Sequence, residues 1–325
     1  MPDVAVIVPL HRLTSEARQC IDTVLGLRDP RAELVVVCDR RPADLPPGVR
    51  VIETGSSTDT SPAEKRDAAL LHTDAPICAF IDDDAYPAPD WVERALSRFA
   101  EDPSLQALGG PGITPPNSSF RRRLAGAFYE SRLGSGGLRH RFVPSRPRRE
   151  VDDWPAYNFF VRTDVLKAVG GWGSHYYGGE DTKLCLALRE GGYRTGYDPQ
   201  VIVYHHRRPV FGALMKQTGN VGRRRGSFVR HYPATSRRAV YFVPTVVLFV
   251  APVVYAAALR AHSVARVAAV TMLAWAGISA LARYDGARID ESAALPIALA
   301  AAHGAYGWGF LRGLLGTLTA GEPQC

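Results

Sequence analysis

Residues 79–91 read AFIDDDAYPAPDW, in which an apolar run ends abruptly in three adjacent carboxylates. The run Ile77–Ile81 is typical of a buried β-strand. Asp82, Asp83 and Asp84 repel one another, and a hard cation such as Mg²⁺ or Mn²⁺ would neutralise them because carboxylate oxygens are its preferred ligands. A solvated acidic turn ahead of a helix is the alternative. Since ligands commonly bind at the carboxyl ends of strands in an α/β sheet, the stretch predicts a cation site.

Strands and helices alternate on both sides of this stretch. Alternation at this spacing favours an α/β fold with a mostly parallel, doubly wound sheet flanked by helices. Residues 109–150 are rich in Gly, Pro and Arg, and they predict a partly helical piece, Phe120–Arg132, before a mobile basic loop that ends near Arg149. The predicted strands are Val4–Pro9, Leu34–Cys38, Arg50–Glu53, Ile77–Ile81, Ala107–Gly110, Asn158–Arg162 and Val201–Tyr204, and the predicted helices are Ser15–Leu27, Ala63–Leu71, Trp91–Ala100, Thr163–Val169 and Asp181–Glu190.

The chain is globular in composition, but it is basic and unevenly apolar. Its 325 residues carry a net charge of +7, and 46% of them are hydrophobic. Arginine clusters at 121–149 and 207–238 supply much of the charge. Because no recognisable nucleic-acid module accompanies them, we expect nucleotide phosphates and lipid headgroups as partners, and no nucleic acid. The five cysteines lack metal-site spacing, which favours a reduced, cytoplasmic environment, and the first ten residues do not read as a signal peptide.

Three uncharged apolar stretches lie near the carboxyl end of the chain. The first is close to the ~20 residues needed to cross a bilayer. We predict a catalytic domain at residues 1–235 and a multi-pass, membrane-anchoring helical region at residues 236–325, and the arginines before the first stretch predict a cytoplasmic catalytic domain. A soluble helical domain is the alternative, and Pro244 and Pro252 leave a hairpin or an interfacial helix open. The stretches are Ala239–Leu259, Val267–Ala282 and Ala293–Leu311.

Several motifs follow one another in a fixed order along the chain. They are VAVIVPLHR at 4–12, Asp39 after the second strand, EKRDAAL at 64–70, IDDDAYPAPDW at 81–91, YNFFVRTDVLKAVGGW at 157–172 and GGEDTKLCLALREGGYR at 178–194. Taken in this order, they resemble the family 2 glycosyltransferases, which are inverting enzymes that use nucleotide-sugars and have the type-A α/β fold. The resemblance covers roughly residues 3–230, and the order of the motifs makes it more specific than any one of them. It implies a nucleotide-sugar donor as partner and a divalent metal, Mg²⁺ or Mn²⁺, as cofactor.

The resemblance assigns the nucleotide pocket to the ends of the first two strands and to the acidic stretch. His11 is expected to stack on the base, Asp39 to accept its imide proton, and Arg66 to lie near the base or the phosphates. Asp82 or Asp83 is expected to contact the ribose or a metal-bound water. An exposed turn histidine, a turn-capping aspartate and a surface arginine are the plain alternatives. The residues expected to bind the nucleotide are Pro9, His11, Asp39, Arg66, Asp82 and Asp83.

The pocket departs from the family pattern at two positions. Asp39 is followed by Arg-Arg-Pro-Ala rather than by an acidic Gly-Ser run. Asp67 stands where asparagine is common in the family. These departures leave the contacts to the ribose and the identity of the nucleotide open.

The resemblance places the metal at the end of the acidic stretch. Asp82 and Asp84 form the DxD pair, with Asp84 bound directly to the cation. His205, which follows the last predicted strand, resembles the histidine that completes the coordination, and His206 is its competitor. A pair of histidines at a strand end is otherwise an ordinary polar turn. The expected ligands are Asp84, Asp82 and His205.

Glu180 and Asp181 follow two glycines and open a predicted helix, as the ED motif of the family does. Inversion by direct displacement requires a carboxylate that takes the proton of the acceptor hydroxyl. The resemblance assigns that catalytic role to Asp181 and a supporting role to Glu180. The alternative is an ordinary helix cap, because Asp is preferred at that position.

Acceptor contacts are expected from Trp154, Asn158 and Trp172, because they lie where the family contacts its sugars and aromatic rings can stack on sugar faces. For a tryptophan in a Gly-Gly-Trp turn, a packing role is the alternative. Processive synthases of the family carry a QxxRW motif, whereas Gln217 is followed by Thr-Gly-Asn-Val. Transfer of a single sugar is therefore expected.

Together these expectations describe a membrane-anchored, metal-dependent, inverting glycosyltransferase that moves one sugar to a lipid-linked or glycan acceptor. A polyprenyl-phosphate sugar synthase is the alternative within the same class, because a lipid phosphate needs little help from a base. A catalytically silent glycosyltransferase-like membrane scaffold is the alternative from another class. A dehydrogenase is disfavoured, since no GxGxxG follows the first strand.

Overall fold

The computed structural model describes residues 2–145, 147–173 and 178–316. Contacts divide the chain into two compact units. Of the described residues, the first unit comprises those up to Pro115 together with His140–His206, and the second comprises Pro116–Arg139 together with residues 207–316. The chain therefore enters the second unit twice. The boundary predicted at residue 235 rests on the change in apolar content and stays a prediction.

The first unit is built on a mixed, mostly parallel sheet of eight strands. The strands of the chain are β1 (Val4–Pro9), β2 (Ala32–Cys38), β3 (Arg50–Glu53), β4 (Ile77–Phe80), β5 (Ala85–Pro87), β6 (Ala107–Gly109), β7 (Gly112–Ile113), β8 (Arg149–Glu150), β9 (Phe159–Arg162), β10 (Thr195–Tyr197) and β11 (Val203–His205). The order in the large sheet is β3-β2-β1-β4-β9-β6-β10-β8. β1 pairs in parallel with β2 and β4, and β9 is antiparallel to β4 and β6. The predicted α/β fold is confirmed.

Helices cover both faces of this sheet. Because side chains alternate along a strand, Val6 and Val8 of β1 pack in one core with Ile21 and Trp91, whereas Ile7 belongs to the core on the other face. The helices of the chain are α1 (Ser15–Gly26), α2 (Pro62–Leu70), α3 (Trp91–Glu101), α4 (Phe120–Glu130), α5 (Arg132–Ser135), α6 (Thr163–Ala168), α7 (Glu180–Glu190), α8 (Gly212–His231), α9 (Pro233–Ser236), α10 (Ala239–Ala261), α11 (Val264–Tyr284) and α12 (Ile289–Leu315).

A sheet of three strands, in the order β5-β11-β7, places a histidine beside the acidic stretch. β11 runs antiparallel to β5, and His205 is in register with Ala85. The residue directly after the acidic triplet is therefore opposite His205. β5 and β7 were not predicted, because strands of two or three residues are too short to show an alternating pattern.

Helix α2 begins with a capping box that positions two basic side chains. The N–H of Glu64 donates to the hydroxyl of Ser61 at 3.2 Å, and the N–H of Ser61 donates to Oε2 of Glu64 at 2.7 Å. Pro62 occupies the first turn, where its missing N–H costs nothing. The cap fixes where the helix starts, and it thereby places Lys65 and Arg66 on the buried side.

The second unit is helical, and several of its arginines pair with acids. The predicted mobile loop instead begins as α5 and a 3₁₀ helix, Gly136–Arg141. Nε of Arg123 lies 2.7 Å from Oε1 of Glu291, and Nε of Arg132 lies 2.8 Å from Oδ1 of Asp285. The sequence showed only a run of arginines, because the acids that pair with them are far away along the chain.

In two helices of this unit, nearly all of the apolar residues are at least partly exposed. α10 and α11 are long and apolar enough to cross a membrane, and 0% and 6% of their most apolar stretches are buried. The third apolar stretch predicted from the sequence lies in α12, where Leu295, Ala298, Ala302 and Phe310 are buried. Among the described residues, the structure thus presents two helices, rather than three, as candidate membrane spans.

Candidate active site

The acidic stretch turns directly after β4, so its carboxylates lie at the carboxyl edge of the sheet. The N–H of Ala85 donates to the carbonyl of Asp82 at 3.0 Å and closes the turn. Asp82, Asp84 and His205 each offer one ligand atom, and these atoms lie within 4.8 Å of one another. Nε2 of His205 lies 3.0 Å from Oδ1 of Asp84. The structure brings together the three residues predicted as metal ligands.

The surroundings of this metal group fit a divalent cation. Two carboxylates and one imidazole form a donor set suited to Mn²⁺ or Mg²⁺. Burial, together with the charges of Asp84 and Asp82, raises the pKa of Asp83 to about 7. A bound cation reverses such a preference for the neutral form, because it becomes the largest local charge. The neighbouring carboxylates repel one another, and a bound cation would therefore stabilise them.

The two adjacent histidines have different surroundings. Nε2 of His206 lies 2.8 Å from Oε1 of Gln19, and its ring centroid lies 5.7 Å from that of Tyr86. The imidazole of His205 instead reaches Asp84. Successive side chains at a strand end point to opposite faces, which explains the difference. The geometry favours His205 over His206 as the metal ligand.

We expect His205→Ala to raise the Mn²⁺ concentration needed for half-maximal transfer at least about tenfold, as loss of groups around a metal commonly does. His206→Ala is the matched control, because the neighbouring ring contacts Gln19 instead of the acids. A Mn²⁺ titration of the transfer rate measures both variants. Equal shifts in the two variants would contradict the assignment.

Arg66 joins the acidic stretch to the Glu180–Asp181 motif. Its side chain is 2% exposed, and its Nη2 lies 2.7 Å from Oδ1 of Asp82 while its Nη1 lies 3.5 Å from Oε1 of Glu180. The guanidinium lies over the ring of Trp172, 4.5 Å from the centroid. A planar guanidinium can hold two carboxylates at once, which a single ammonium does poorly. Two motifs that are far apart in sequence meet through this one side chain.

Arg66→Lys keeps the positive charge but loses the fork that spans the two acids. We expect kcat to fall about 10²-fold, since small displacements of reacting groups have effects of that size, with a smaller change in the KM of the donor. Arg98→Lys is the control, because Arg98 pairs with the single acid Asp102. Steady-state kinetics, with thermal unfolding as a check on folding, measure the outcome. An unchanged kcat would show that the bridge is dispensable.

Glu180 and Asp181 begin helix α7 after two glycines in the left-handed conformation. Gly178 and Gly179 have φ values of 94° and 92°, a region that favours glycine. Oε2 of Glu180 accepts the N–H of Gly178 at 2.8 Å, and Oε1 of the same carboxylate pairs with Arg66. Asp181 is less buried, and its Oδ1 accepts the N–H of the following residue at 2.8 Å. Glu180 is thus fixed by the protein, and Asp181 is the more accessible acid.

Asp39 is surrounded by donors from the protein. The hydroxyls of Thr54 and Thr60, the N–H of Thr60 and the ammonium of Lys65 all reach its two oxygens. Burial acts to raise the pKa of Asp39, but these donors outweigh burial and lower the pKa to about 2. A carboxylate has about four lone-pair sites, so a base that bonded to Asp39 would share or replace one donor. The sequence pattern did not predict these partners, although Lys65 lies within the motif EKRDAAL.

Pro9 and His11 lie at the end of β1. Pro9 is the last residue of the strand and pairs with Val37. The N–H of His11 reaches Oδ2 of Asp83 at 3.5 Å. Its side chain is 52% exposed, with Nδ1 3.9 Å from Oδ1 of Asp59. An exposed ring beside the acidic stretch suits stacking on a base, and that contact stays a prediction.

The three residues expected to contact the acceptor are buried. Trp154, Asn158 and Trp172 are 0%, 0% and 2% exposed. The ring of Trp172 packs edge-on against Phe80, with centroids 4.9 Å apart. Oδ1 of Asn158 accepts the indole N–H of Trp91 at 2.9 Å. These contacts favour the packing role, and direct contact with an acceptor stays a prediction.

Asp67 holds the Gly-Gly-Trp turn in place. Its two carboxylate oxygens accept the N–H groups of Trp172 and Gly173 at 2.7 and 3.1 Å. Gly171 has a φ of 72°, and a Cβ at that position would overlap the carboxylate of Asp67. The two oxygens of a carboxylate accept both N–H groups. An asparagine has only one amide oxygen, and its NH₂ group would face the second N–H donor. The acid that departs from the family pattern therefore has a structural role.

The chain is similar to known proteins over most of its length. The family described as "Glycosyl transferase family group 2" matches residues 77–311. The pre-mycofactocin glycosyltransferase of Mycobacterium tuberculosis (strain H37Rv) is 30% identical over 207 residues, which are 63% of this chain and 43% of that protein. Glycosyltransferase AglE of Haloferax volcanii is 25% identical over 236 residues, covering 69% of this chain and 73% of that protein. This chain thus spans less than half the length of its mycobacterial relative.

The fold is similar to that of a solved glycosyltransferase. The mannosyltransferase PcManGT of Pyrobaculum calidifontis, solved in complex with GDP-Man and Mn²⁺, aligns with a TM-score of 0.59 at 20% sequence identity. The alignment covers 97% of this chain and 87% of that chain. This likeness confirms the predicted type-A fold. Since the family match covers more than half of the sequence, the chain belongs to the glycosyl transferase family group 2.

Proposed function

We propose that the chain is a metal-dependent, inverting glycosyltransferase that moves one sugar from a nucleotide-sugar to an acceptor at a membrane surface. The observation that carries the proposal is the Arg66 guanidinium, which contacts both Asp82 of the metal group and Glu180 of the ED motif. One side chain that contacts both motifs supports a single cleft in which a donor phosphate and a base act on the same sugar.

The metal group is the proposed site for the diphosphate of the donor. Asp82, Asp84 and His205 would hold the cation. When bound, a divalent cation supplies Lewis-acid stabilisation of the negative charge that develops on the departing diphosphate. The presence of GDP-Man and Mn²⁺ in the complex of PcManGT supports a nucleotide-sugar with Mn²⁺ as the first combination to test.

Asp181 is the proposed general base. Its carboxylate takes the proton of the acceptor hydroxyl as that oxygen forms a bond to the anomeric carbon of the sugar. The bond from the anomeric carbon to the diphosphate breaks, and the nucleoside diphosphate leaves with the bonding electrons. Attack from the side opposite the leaving group inverts the configuration. Glu180, which is fixed by Arg66 and Gly178, orients the first turn of α7 and therefore the base.

The exposed apolar helices support an acceptor that is held at a bilayer. α10 and α11 are the proposed anchor, and Arg237 and Arg238 directly precede α10. Arginines next to a span favour the cytoplasmic side, so we infer that the chain works at the cytoplasmic face of a membrane. A lipid-linked glycan is the acceptor class that fits this location.

The proposal is tested by a panel of nucleotide-sugars in a thermal-unfolding assay of the purified protein, with and without Mn²⁺. We expect at least one nucleotide-sugar to raise the unfolding temperature in a Mn²⁺-dependent way, because a ligand that binds only the folded state stabilises it. The free sugars are the control, since they lack the diphosphate. If no nucleotide-sugar stabilises the protein, a catalytically silent scaffold is favoured instead.

A further inference from the structure

Helices α10 and α11 form a hairpin, and many of its large apolar side chains are exposed. His262 and Ser263 are the two residues between the helices. Residues 239–259 and 267–282 contain no charged side chain. The 23 residues of α10 span about 34 Å at ~1.5 Å per residue, which matches a hydrocarbon core of ~30 Å. Arg260 and Arg266 flank the turn, where they would lie outside that core.

Helix α12 contacts the hairpin in the halves that lie away from the turn. The hydroxyl of Thr245 in α10 donates to the carbonyl of Gly307 at 3.1 Å, and the indole N–H of Trp275 in α11 donates to the carbonyl of Ala293 at 3.2 Å. Ala293 and Gly307 are ~21 Å apart along α12, so α10 and α11 are well separated where they contact α12. At the turn, by contrast, only His262 and Ser263 lie between the two helices. α10 and α11 therefore diverge from the turn towards their far ends, the base of the hairpin, and α12 contacts α10 near its start and α11 near its middle.

Helix α12 is also packed along an arginine-rich helix. Gly222 and Gly226 of α8 fit against the backbone of Tyr306 and Phe310 so closely that a Cβ would overlap it. Because the backbones touch, any movement of α12 into hydrocarbon would take α8 with it. Guanidinium groups are costly there. The arginines of α8 are Arg223, Arg224, Arg225 and Arg230.

The junction between α11 and α12 is charged. Arg123 pairs with Glu291 at the start of α12, and Arg132 pairs with Asp285 at the end of α11. The carboxylates are almost fully covered, with side chains that are 8% and 3% exposed. An ion-paired cluster at this end places the base of the hairpin outside the hydrocarbon.

We propose that α10 and α11 cross the bilayer as a two-helix hairpin, while α12 and α8 lie together at the membrane surface on the side where α10 begins. The proposal rests on the membrane anchoring in the proposed function and adds its topology. Both ends of the hairpin and the carboxyl end of α12 share one face of the membrane. Only the turn at His262 and Ser263 reaches the other face. A lipid bilayer is the partner of the exposed apolar surface.

Single cysteines placed in the full chain test this topology without any measurement of transfer. The variants are His262→Cys at the turn, Ile289→Cys at the start of α12 and Leu315→Cys at its end, each in a Cys325→Ser background. All three positions are exposed, and the remaining cysteines, at 20, 38, 78 and 185, are buried. A membrane-impermeant maleimide is applied to sealed vesicles of both orientations, and cell fractionation shows that the variants reach the membrane.

We expect His262→Cys to react from one face only, and Ile289→Cys and Leu315→Cys to react from the opposite face only. Reaction of Leu315→Cys from the same face as His262→Cys would show that α12 is a third span, and it would overturn the proposal. Reaction of all three positions from one face would show that the hairpin does not cross, as in a soluble protein or a dimer covered by a second copy. Reaction of His262→Cys or Leu315→Cys only after detergent is added would also overturn it.

Discussion

Asp181→Asn is expected to reduce sugar transfer by about 10²–10⁴-fold, the range that general-base catalysis supplies, while nucleotide-sugar binding persists. An amide cannot accept the proton of the acceptor hydroxyl. It still accepts the N–H of Thr182 through its oxygen, so the start of α7 is expected to stay intact. The measurements are the single-turnover transfer rate and Mn²⁺-dependent stabilisation by the donor.

The control for this variant is Asp164→Asn, which matches its local geometry. Oδ1 of Asp164 accepts the N–H of Val165 at 2.8 Å in the first turn of α6, just as Oδ1 of Asp181 does for Thr182 in α7. Both substitutions therefore make the same local change at a helix start, and only one removes the proposed base. Near-normal turnover in Asp181→Asn would refute that role. Activity that Asp181→Asn retains only with a phosphate acceptor would favour a polyprenyl-phosphate sugar synthase.

Asp84→Asn is expected to abolish the Mn²⁺-dependent stabilisation by the donor and to lower transfer by about 10²–10³-fold, the scale seen when a group that stabilises transition-state charge is lost. The carboxylate lies 3.0 Å from His205 and within the three-residue metal group. Loss of its charge weakens cation binding, and the departing diphosphate then loses its counter-charge. Asp84→Asn is compared with wild type at saturating donor over a range of Mn²⁺ concentrations.

The control for the metal variant is Asp90→Asn, a carboxylate on the same stretch. Asp90 pairs with Arg94 on the surface and is not part of the metal group. Its replacement is expected to leave the Mn²⁺ titration unchanged. Full transfer by Asp84→Asn with an unaltered titration would place the metal elsewhere.

The longer buried strands could be predicted from the sequence, whereas the short buried strand β10 and helix α8 could not. β1 was predicted at Val4–Pro9 and is observed there, because a strand covered on both faces has a continuous apolar run. α8 went unpredicted, since its four glycines give it poor helix propensity and its run of arginines interrupts the apolar periodicity. It forms where Gly222 and Gly226 meet the backbone of α12, a contact that no local pattern reveals.

In the candidate site, too, some residues could be predicted from the sequence and others could not. The triplet of acids was predicted as a cation site because three adjacent carboxylates repel one another, and His205 was assigned through the resemblance to the family. The structure brings Asp82, Asp84 and His205 together. The bridge made by Arg66 depends on contacts between distant segments, so a single sequence gave no sign of it. Whether a tryptophan is buried also depends on the fold, which is why sequence alone could not separate sugar stacking from packing for Trp172.

The most direct test of the account is a crystal structure with Mn²⁺ and an intact nucleotide-sugar analogue, in which anomalous scattering locates the ion. We predict one ion bound by Asp82, Asp84 and His205, with the diphosphate on it and the anomeric carbon facing Asp181. An ion bound outside these three residues, or a sugar that turns its anomeric carbon away from Asp181, would contradict the account.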